Sequence, residues 1–429
     1  FVLPDADGSA NNALKTDGSG NLGFVDVTTL VTQGLDWQST IKTSNFTAVS
    51  GEAYFCNTSG GAFTATLPAS PSAGAIVAFK DYAPSFASYN LTIGRNSSNI
   101  QGSANDSVLS TNRASVVLVY IDSTKGWLFV QESNVGNLVP TYISATGGTI
   151  TTSGDYKIHT FTGDGTFTVS SVGNSEGGGA GVSYMVIAGG GSGGSGGSSV
   201  TGGGGGAGGF REGKNSGDPY SASPLNAPAG LTVSASPGSY PISVGGGAPA
   251  ASSGGDNAGN VGSTSTFSTI TSAGGGGGGA NAACGSAGGS GGGGKESDGV
   301  GHAGNTPPVS PPQGNPGGNG SEPGNFSGGG GGAGGPGGTG GPSVGGNGIA
   351  SSITGSPVTR AGGGGASGGA GGPGGGGASG SSPSWPTPAP TTGTSGTENT
   401  GGGGGSSPQA ANSGAGGKGV VIIRYKYQN

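Results

Sequence analysis

The sequence predicts a mainly β protein without long helices, in which a β-sandwich-like domain precedes a β-framed lattice of polyglycine II threads. Three observations carry the prediction. Glycine occupies 108 of the 429 positions, against a usual share of about 7%. In the glycine-rich half the other residues fall one in every three: Ala333, Pro336, Thr339 and Pro342, also Ser192, Ser195 and Ser198, and again Ser367, Ala370 and Pro373. A strongly apolar strand candidate stands at each end of that half, at residues 182–188 and 419–427.

A period of three fits neither the roughly 3.6 of an α-helix nor the roughly 2 of a strand. It fits the polyproline II helix, which has three residues per turn and no internal hydrogen bonds. In a Gly-Gly-X repeat the X side chains line one edge and leave two edges bare. Neighbouring threads can then approach until their peptide groups bond to one another. Collagen is excluded, because it needs one glycine per triplet with the other two positions filled. Disordered chains share this composition, but the sustained phase, the apolar punctuation and the terminal strands argue for order.

Residues 1–35 are short apolar pieces between turns at Asp7-Gly8, Asp17-Gly18 and Ser19-Gly20. Leu14, Leu22, Phe24 and Val25 are too few to close a core in one chain, so the segment reads as an oligomerising stalk. Residues 36–137 read as the sandwich-like or jelly-roll-like β domain. Phe63, Ala65 and Leu67 alternate with Thr64 and Thr66, and Pro68 and Pro71 end that strand. Residues 53–56, 76–79, 91–93, 116–121 and 127–130 supply further strands, with a hairpin turn at 123–126. Residues 138–429 form the β-framed glycine domain. Strands at 149–152, 156–161, 166–169 and 182–188 lead into glycine tracts at about 189–417, and a closing strand spans 419–427. The two terminal strands are expected to share a sheet and clamp both ends of the tracts. Apolar segments at 231–233, 240–244, 267–270 and 349–358 are expected to cover the flanks or close the ends of the lattice. Connections at 212–228, 295–316 and 379–400 read as the long loops in which function usually sits.

Composition excludes several functions. Net charge is −6, and the 14 Lys and Arg form no basic stripe, so no nucleic-acid partner is expected. No apolar run reaches the roughly 18–20 residues of a membrane span. The opening Phe1-Val2-Leu3-Pro4 has neither Met nor a signal-peptide pattern, and the chain is expected to be a fragment or a processed form. Two cysteines, Cys56 and Cys284, and two histidines, His159 and His302, are too few and too scattered for a disulfide framework or a zinc site. No cofactor and no metal are expected. Windows matching Gly-x-Gly-x-x-Gly carry no strand–helix context, and Glu296 stands where a phosphate loop ending in Lys295 needs Ser or Thr. The carboxylates Asp5, Asp7, Asp17, Asp155 and Asp164 sit in turns; spacing leaves a paired-carboxylate glycosidase site open, but nothing points to one. His159 lies in an alternating strand and reads as structural.

The residues resemble a family. Leu3-Pro4-Asp5-Ala6-Asp7-Gly8 with Leu14-Lys15-Thr16-Asp17-Gly18-Ser19-Gly20-Asn21-Leu22 is similar to a repeat of phage tail fibres. Residues 67–74, 90–96, 100–102 and Lys125-Gly126-Trp127 resemble a β domain of marine phage fibres. Residues 153–169, Ala188-Gly189-Gly190-Gly191 and residues 419–425 resemble the glycine-rich terminal domain of such fibres. The resemblance implies a non-enzymatic, homotrimeric, extracellular virion fibre. It would join upstream fibre or baseplate proteins and recognise a bacterial outer-surface receptor, protein or polysaccharide, through loops between polyglycine II helices. No receptor residue carries over, because such loops have no fixed motif.

Exposed aromatics in loops are the candidate contacts, since rigid rings bury sugar or side-chain faces at small entropic cost. Trp385, in a polar Pro-rich segment, leads, followed by Tyr220, Phe326 and His302. Trp385 and Phe326 could instead cap the lattice and exclude water from its ends. Phe210, beside a glycine tract, reads as structural. Two other functions fit the composition: a bacterial extracellular filament with the lattice as a stiff rod, and a fibre-borne polysaccharide depolymerase, which lacks a visible acid/base constellation.

Overall fold

The computed structural model of the protein describes residues 12–26, 34–134, 141–174, 177–196, 202–280, 284–296, 299–381, 390–408 and 411–428. Among them are strands, turns and extended threads, and no helix. The chain divides into two compact units, residues 1–138 and 139–429. Leu3 to Gly8, Ser198 and Trp385 lie outside the described residues.

In the first unit, Asn12–Thr16 and Leu22–Asp26 form an antiparallel hairpin. The Asp17 carboxylate sets its turn by accepting hydrogen bonds from the backbone N–H of Ser19 (2.7 Å) and Asn21 (3.1 Å). The chain then alternates between two sheets. Asp36–Lys42, Glu52–Cys56 and Ile76–Asp81 lie parallel in one. Phe46–Thr47, Phe63–Thr66 and Leu91–Gly94 lie parallel in the other. Each passage through both sheets is one rung of a flattened coil. Ser107–Leu109, Ala114–Asp122 and Gly126–Asn134 then add antiparallel strands. A single core joins the inner faces: Tyr54, Phe79, Leu118 and Trp127 from one sheet, Phe63, Leu91 and Ile93 from the other. Two packed sheets agree with the sequence reading, but the parallel rungs depart from a jelly roll. Antiparallel neighbours need a short turn, and here successive strands of one sheet are separated by a strand of the other.

The second unit is framed by two further sheets. The larger runs Thr149–Ser153, Tyr156–Phe161, Val420–Lys426, Gly181–Ile187, Phe210–Gly213, Asn226–Ala227, with Leu231–Thr232 also on Gly181–Ile187. The expected clamp is present: Met185 pairs with Ile422 and Ile187 with Val420, antiparallel. The smaller sheet runs Ser144–Thr146, Gly165–Ser171, Ser239–Ser243, Ser265–Phe267, Ile270–Ser272. Phe167, Tyr184, Val186, Phe267, Val421, Ile423 and Tyr425 fill the space between the sheets. On the opposite face of the larger sheet, Ile158, Met185, Ile187, Val420 and Ile422 pack with Ala207, Phe210, Tyr220, Ala333, Ile353 and Ala361. Both faces are covered, which is why these strands are continuously apolar rather than alternating. The segments at 231–233, 240–244 and 267–270 are therefore strands of the frame and not covers for lattice flanks. Ile349–Ser351 and Val358–Arg360 form a hairpin.

The glycine tracts form threads whose peptide groups bond mainly from one thread to another. Gly202, Gly205 and Gly208 donate to the carbonyls of Ser407, Gly404 and Gly401; Gly203, Gly206 and Gly209 to Gly279, Gly276 and Ala273; Gly204 and Ala207 to Gly328 and Gly331. The partner changes at each residue and returns at every third, as three residues per turn require. The carbonyls repeat the pattern: those of Gly203, Gly206 and Gly209 accept from Gly194, Gly191 and Ala188, those of Gly204 and Ala207 from Gly293 and Ser290, and that of Gly205 from Gly364. Three segments accept from this thread and three others donate to it, so it is enclosed on all sides. The bare edges are obligatory, because a Cβ on Gly205 would lie 2.3 Å from the Gly191 oxygen and one on Gly204 2.1 Å from the Gly364 oxygen.

Residues 331–342 read as one thread but fold as two. Gly332 donates to the Gly335 carbonyl and Gly329 to that of Gly338, so the chain doubles back at 333–335. It turns again at Gly340, where φ is +75°. Pro336 and Pro342 have no N–H to give the lattice, and the turns fall beside them. Likewise Ser367 and Gly368 have left-handed φ and form a turn rather than continuing the beat to Ala370.

Candidate functional site

Thread direction sorts the connections by end. Residues 188–196 leave the larger sheet after Ile187, and residues 202–209 return to it at Phe210. Propagating these directions through the hydrogen bonds places residues 251–257, 294–296, 299–301, 319–328, 338–343 and 366–369 at the end remote from the frame. Ser381 and Thr391 meet there as well: the Ser381 N–H donates to Thr391 Oγ1 at 2.8 Å. The segment they bracket carries Trp385. Chain stretches distant in sequence thus converge on one surface, and it is mounted on backbone rather than on a side-chain core.

The candidate residues divide. Phe326 is half-buried at this remote end. Cβ atoms on Gly324 and Gly341 would stand 2.4 and 2.3 Å from its ring, so the ring is wedged between two of the converging loops. Ser321 and Phe326 exchange backbone hydrogen bonds across the base of one of them. His302 is part of a thread: its N–H donates to Gly292 and its carbonyl accepts from Gly317. Its half-buried ring lies over Gly285, where a Cβ would approach its Cδ2 to 2.8 Å, and burial holds its pKa below the ordinary value. Tyr220 lies at the framed end, 6% exposed, so it is not available to a partner. Lys214 and Arg424 stand over its ring at 5.4 and 5.5 Å, and burial raises its pKa. The structure does not bring these three together.

The connection at 212–228, read as a functional loop, is structural. Arg424, on the closing strand, is 3% exposed and pairs with Asp218, its Nε 2.8 Å from Oδ1. Ser183 Oγ donates to the other Asp218 oxygen at 2.9 Å, and Arg424 Nη1 donates to the Ile353 carbonyl at 3.3 Å. Glu212, 1% exposed, accepts from Ser351 Oγ (2.6 Å) and the Ser223 N–H (2.8 Å). A buried charge persists only when paired and hydrogen-bonded, and this set ties the frame to the hairpin at 349–360. His159 is buried and structural: Nδ1 donates to the Gly147 carbonyl at 2.6 Å, which leaves Nε2 to accept from Tyr425 Oη at 3.0 Å.

Residues 162–426, the framed threads and both terminal strands of the clamp, match the glycine-rich domain. The chain belongs to that family. No curated protein matches it. The match covers well over half of the chain and spans the segment in which the hydrogen-bond partner changes at each residue and returns at every third.

Sequence reading missed the residues that convert strand into thread in this glycine-rich domain. Gln313, 1% exposed, accepts from the Ala273 N–H through Oε1 (2.9 Å) and from the Phe210 N–H through its carbonyl (2.8 Å). Ser265 Oγ donates to the Ile187 carbonyl (2.8 Å) and accepts from the Gly245 N–H (2.9 Å). A lone Gln or Ser in a polar stretch carries no local signal of such a role. At the remote end Glu296 has its pKa raised, first by burial and then by Asp256 and Glu322. Among the described residues no His, Cys, Asp and Glu group in a way that could hold a metal ion. No helix among them is long and apolar enough to cross a membrane.

Proposed function

We propose that the protein is a viral tail-fibre receptor-binding protein without catalytic activity, borne as a homotrimer on the virion, whose converging loops at the remote end of the polyglycine II lattice attach to a bacterial surface. The observation that supports this reading most is that convergence: loops from six or more separate stretches mounted together on threads that cannot flex independently. The resemblance of residues 67–74, 90–96 and 125–127 to phage-fibre sequence adds the viral context. Rigid mounting lowers the ordering cost of binding, and three copies on one fibre multiply weak contacts by effective concentration.

The test is adsorption of host cells by purified protein carrying Trp385→Ala or Phe326→Ala. Either change is expected to weaken adsorption while the melting temperature stays within about 2 °C of the parent. Unchanged adsorption in both variants would remove the remote end from the reading. Head-to-tail polymers of the purified protein, in place of discrete trimers, would favour the filament instead.

A further inference from the structure

The first unit leaves one of its sheet faces without a cover. In the five-stranded sheet, Val77, Phe79, Val116, Leu118 and Trp127 point to the core. Alternation turns Phe55, Ile76, Val117, Val119 and Leu128 to the outer face, and none of these belongs to that core. Register aligns them: Val119 lies opposite both Ile76 and Leu128. At the edge Trp37 packs on Phe55, with ring centroids 4.8 Å apart. Trp37 is 44% exposed, and Ile121, further along the same face, is 49% exposed. Lys80 also points this way, but its ammonium donates to the Arg113 carbonyl.

The other sheet of the unit has an ordinary outer face. There Phe63, Ala65, Leu91 and Ile93 face the core, and Thr64, Thr66 and Thr92 alternate outward. The five-stranded sheet carries continuous apolar runs instead, at 76–79, 116–121 and 127–130. Such runs belong to strands covered on both sides, as in the clamp of the second unit. Among the described residues, no hydrophobic cluster covers this face.

The composition of the face selects a permanent partner. Interfaces between permanent copies are apolar, like a core cut in two, whereas partners that come and go meet on surfaces no more apolar than the rest. Nine of the fourteen exposed large hydrophobic side chains among the described residues lie in the first unit, so the matching apolar surface is that of another copy. Five strands about 4.8 Å apart, each with a few outward residues, give a face of roughly 20 Å by 20 Å. These roughly 400 Å² are about half of what one partner brings to a standard interface. The hairpin at 12–26 holds a second open surface, where Leu14 lies opposite Phe24, 54% and 40% exposed, and a two-stranded hairpin needs packing to persist. We infer that copies of this chain associate through the outer face of the five-stranded sheet, with the hairpin completing the contact. The inference deepens the homotrimer of the proposed function, on which it rests, by naming the surface that holds the copies together.

Sedimentation velocity of the full chain tests it. Val119→Lys with Leu128→Glu places opposite charges directly across two strands, where each copy can pair them within itself, and removes the apolar face. The concentration of half-dissociation is expected to rise at least about thirtyfold, as when an interface hot spot is lost. Ile121→Lys, at an exposed position on the face, is expected to act in the same direction, and it decides the matter if the double variant melts early. Thr64→Lys, on the outer face of the other sheet, is expected to leave assembly unchanged. Trimers as stable as the parent in both the double variant and Ile121→Lys would overturn the inference and leave the homotrimer standing. Equal dissociation by Thr64→Lys would overturn it too. Parent dimers that these face substitutions dissociate would support the inference and correct the count of copies. A parent chain that sediments as a monomer would overturn both inference and homotrimer, with adsorption still deciding the receptor reading.

Discussion

Gly205→Ala tests the physical basis of the second unit. Gly205 lies in the middle of the enclosed thread, donating to the Gly404 carbonyl at 2.9 Å and accepting from the Gly364 N–H at 2.8 Å. An added methyl would sit 2.3 Å from the Gly191 oxygen and 2.7 Å from the Ser192 carbonyl. Relieving that overlap needs a displacement of roughly 1 Å, to reach the usual separation of about 3.5 Å. Gly191 cannot give freely, because its carbonyl accepts from Gly404 and its N–H donates to Gly206, both at 2.9 Å. Overpacking costs about 1–3 kcal/mol, and a buried peptide group left unpaired about 1–3 more. The expected destabilisation is about 3–5 kcal/mol, a large part of the roughly 5–15 kcal/mol that holds a domain. Gly246→Ala is the control. Gly246 is exposed, without left-handed φ, and has nothing within 4 Å of its would-be Cβ, so alanine there should be neutral or stabilise by about 0.4–1 kcal/mol through the unfolded chain. Scanning calorimetry should place Gly205→Ala roughly 5–15 °C below Gly246→Ala. Coincident melting would mean that bare thread edges are not what closes the lattice.

Other substitutions probe the frame. Asp218→Ala leaves the Arg424 guanidinium buried without its carboxylate and should cost about 3–5 kcal/mol in a denaturant titration, while Asp218→Leu with Arg424→Met should recover part of the loss. His159 has its pKa lowered by burial, so the folded state binds its proton later than the unfolded state. Its contribution is present above the unfolded value of about 6.5 and is lost as pH falls through the folded value. Melting should therefore fall between pH 7.5 and 5, and His159→Gln should flatten that dependence. Burial pushes the Cys56 thiol up to about 12, with Asp81 adding to it. Cys284 is exposed, so it alone should react with a thiol reagent at about pH 8 until the chain unfolds.

The sequence made the clamp and the triplet phase legible because each rests on a repeated local signal. The run Val420-Val421-Ile422-Ile423 can only be a strand covered on both faces, and Ser192 and Ser195 keep one phase through an otherwise featureless tract. What stayed hidden depended on tertiary neighbours. Nothing local distinguishes Pro336, beside a turn, from a proline that simply occupies the X position of a thread. Tyr220 sits in a polar, proline-containing stretch that reads as exposed, and tertiary neighbours bury it: Arg424 and Lys214 over its ring and the apolar cluster on that face of the larger sheet. The parallel rungs of the first unit were illegible for a related reason. Phe63 and Leu91 pair directly in neighbouring parallel strands that are separated along the chain by a strand of the other sheet, and alternation reports which face is buried without reporting the partner.

A lattice held by peptide groups separates two demands that a side-chain core combines. In a conventional core the residues that hold the fold together also restrict what neighbouring positions can become. Here the threads require only that side chains be absent from two edges. Alanine appears where a thread meets the apolar face of the frame, as at Ala207, Ala333 and Ala361, and not inside the enclosed segment of Gly202 to Gly206. The connections at the remote end therefore carry almost none of the burden of closing the lattice. Substituting or lengthening the turn at 251–257 should change stability far less than one methyl at Gly205. Loop closure grows only logarithmically with length, about 0.6 kcal/mol per doubling, whereas the methyl forces threads apart along their whole contact. If inserting glycine and serine at Gly254–Gly255 lowered melting as much as Gly205→Ala does, the loops would be part of what closes the lattice and this separation would not hold.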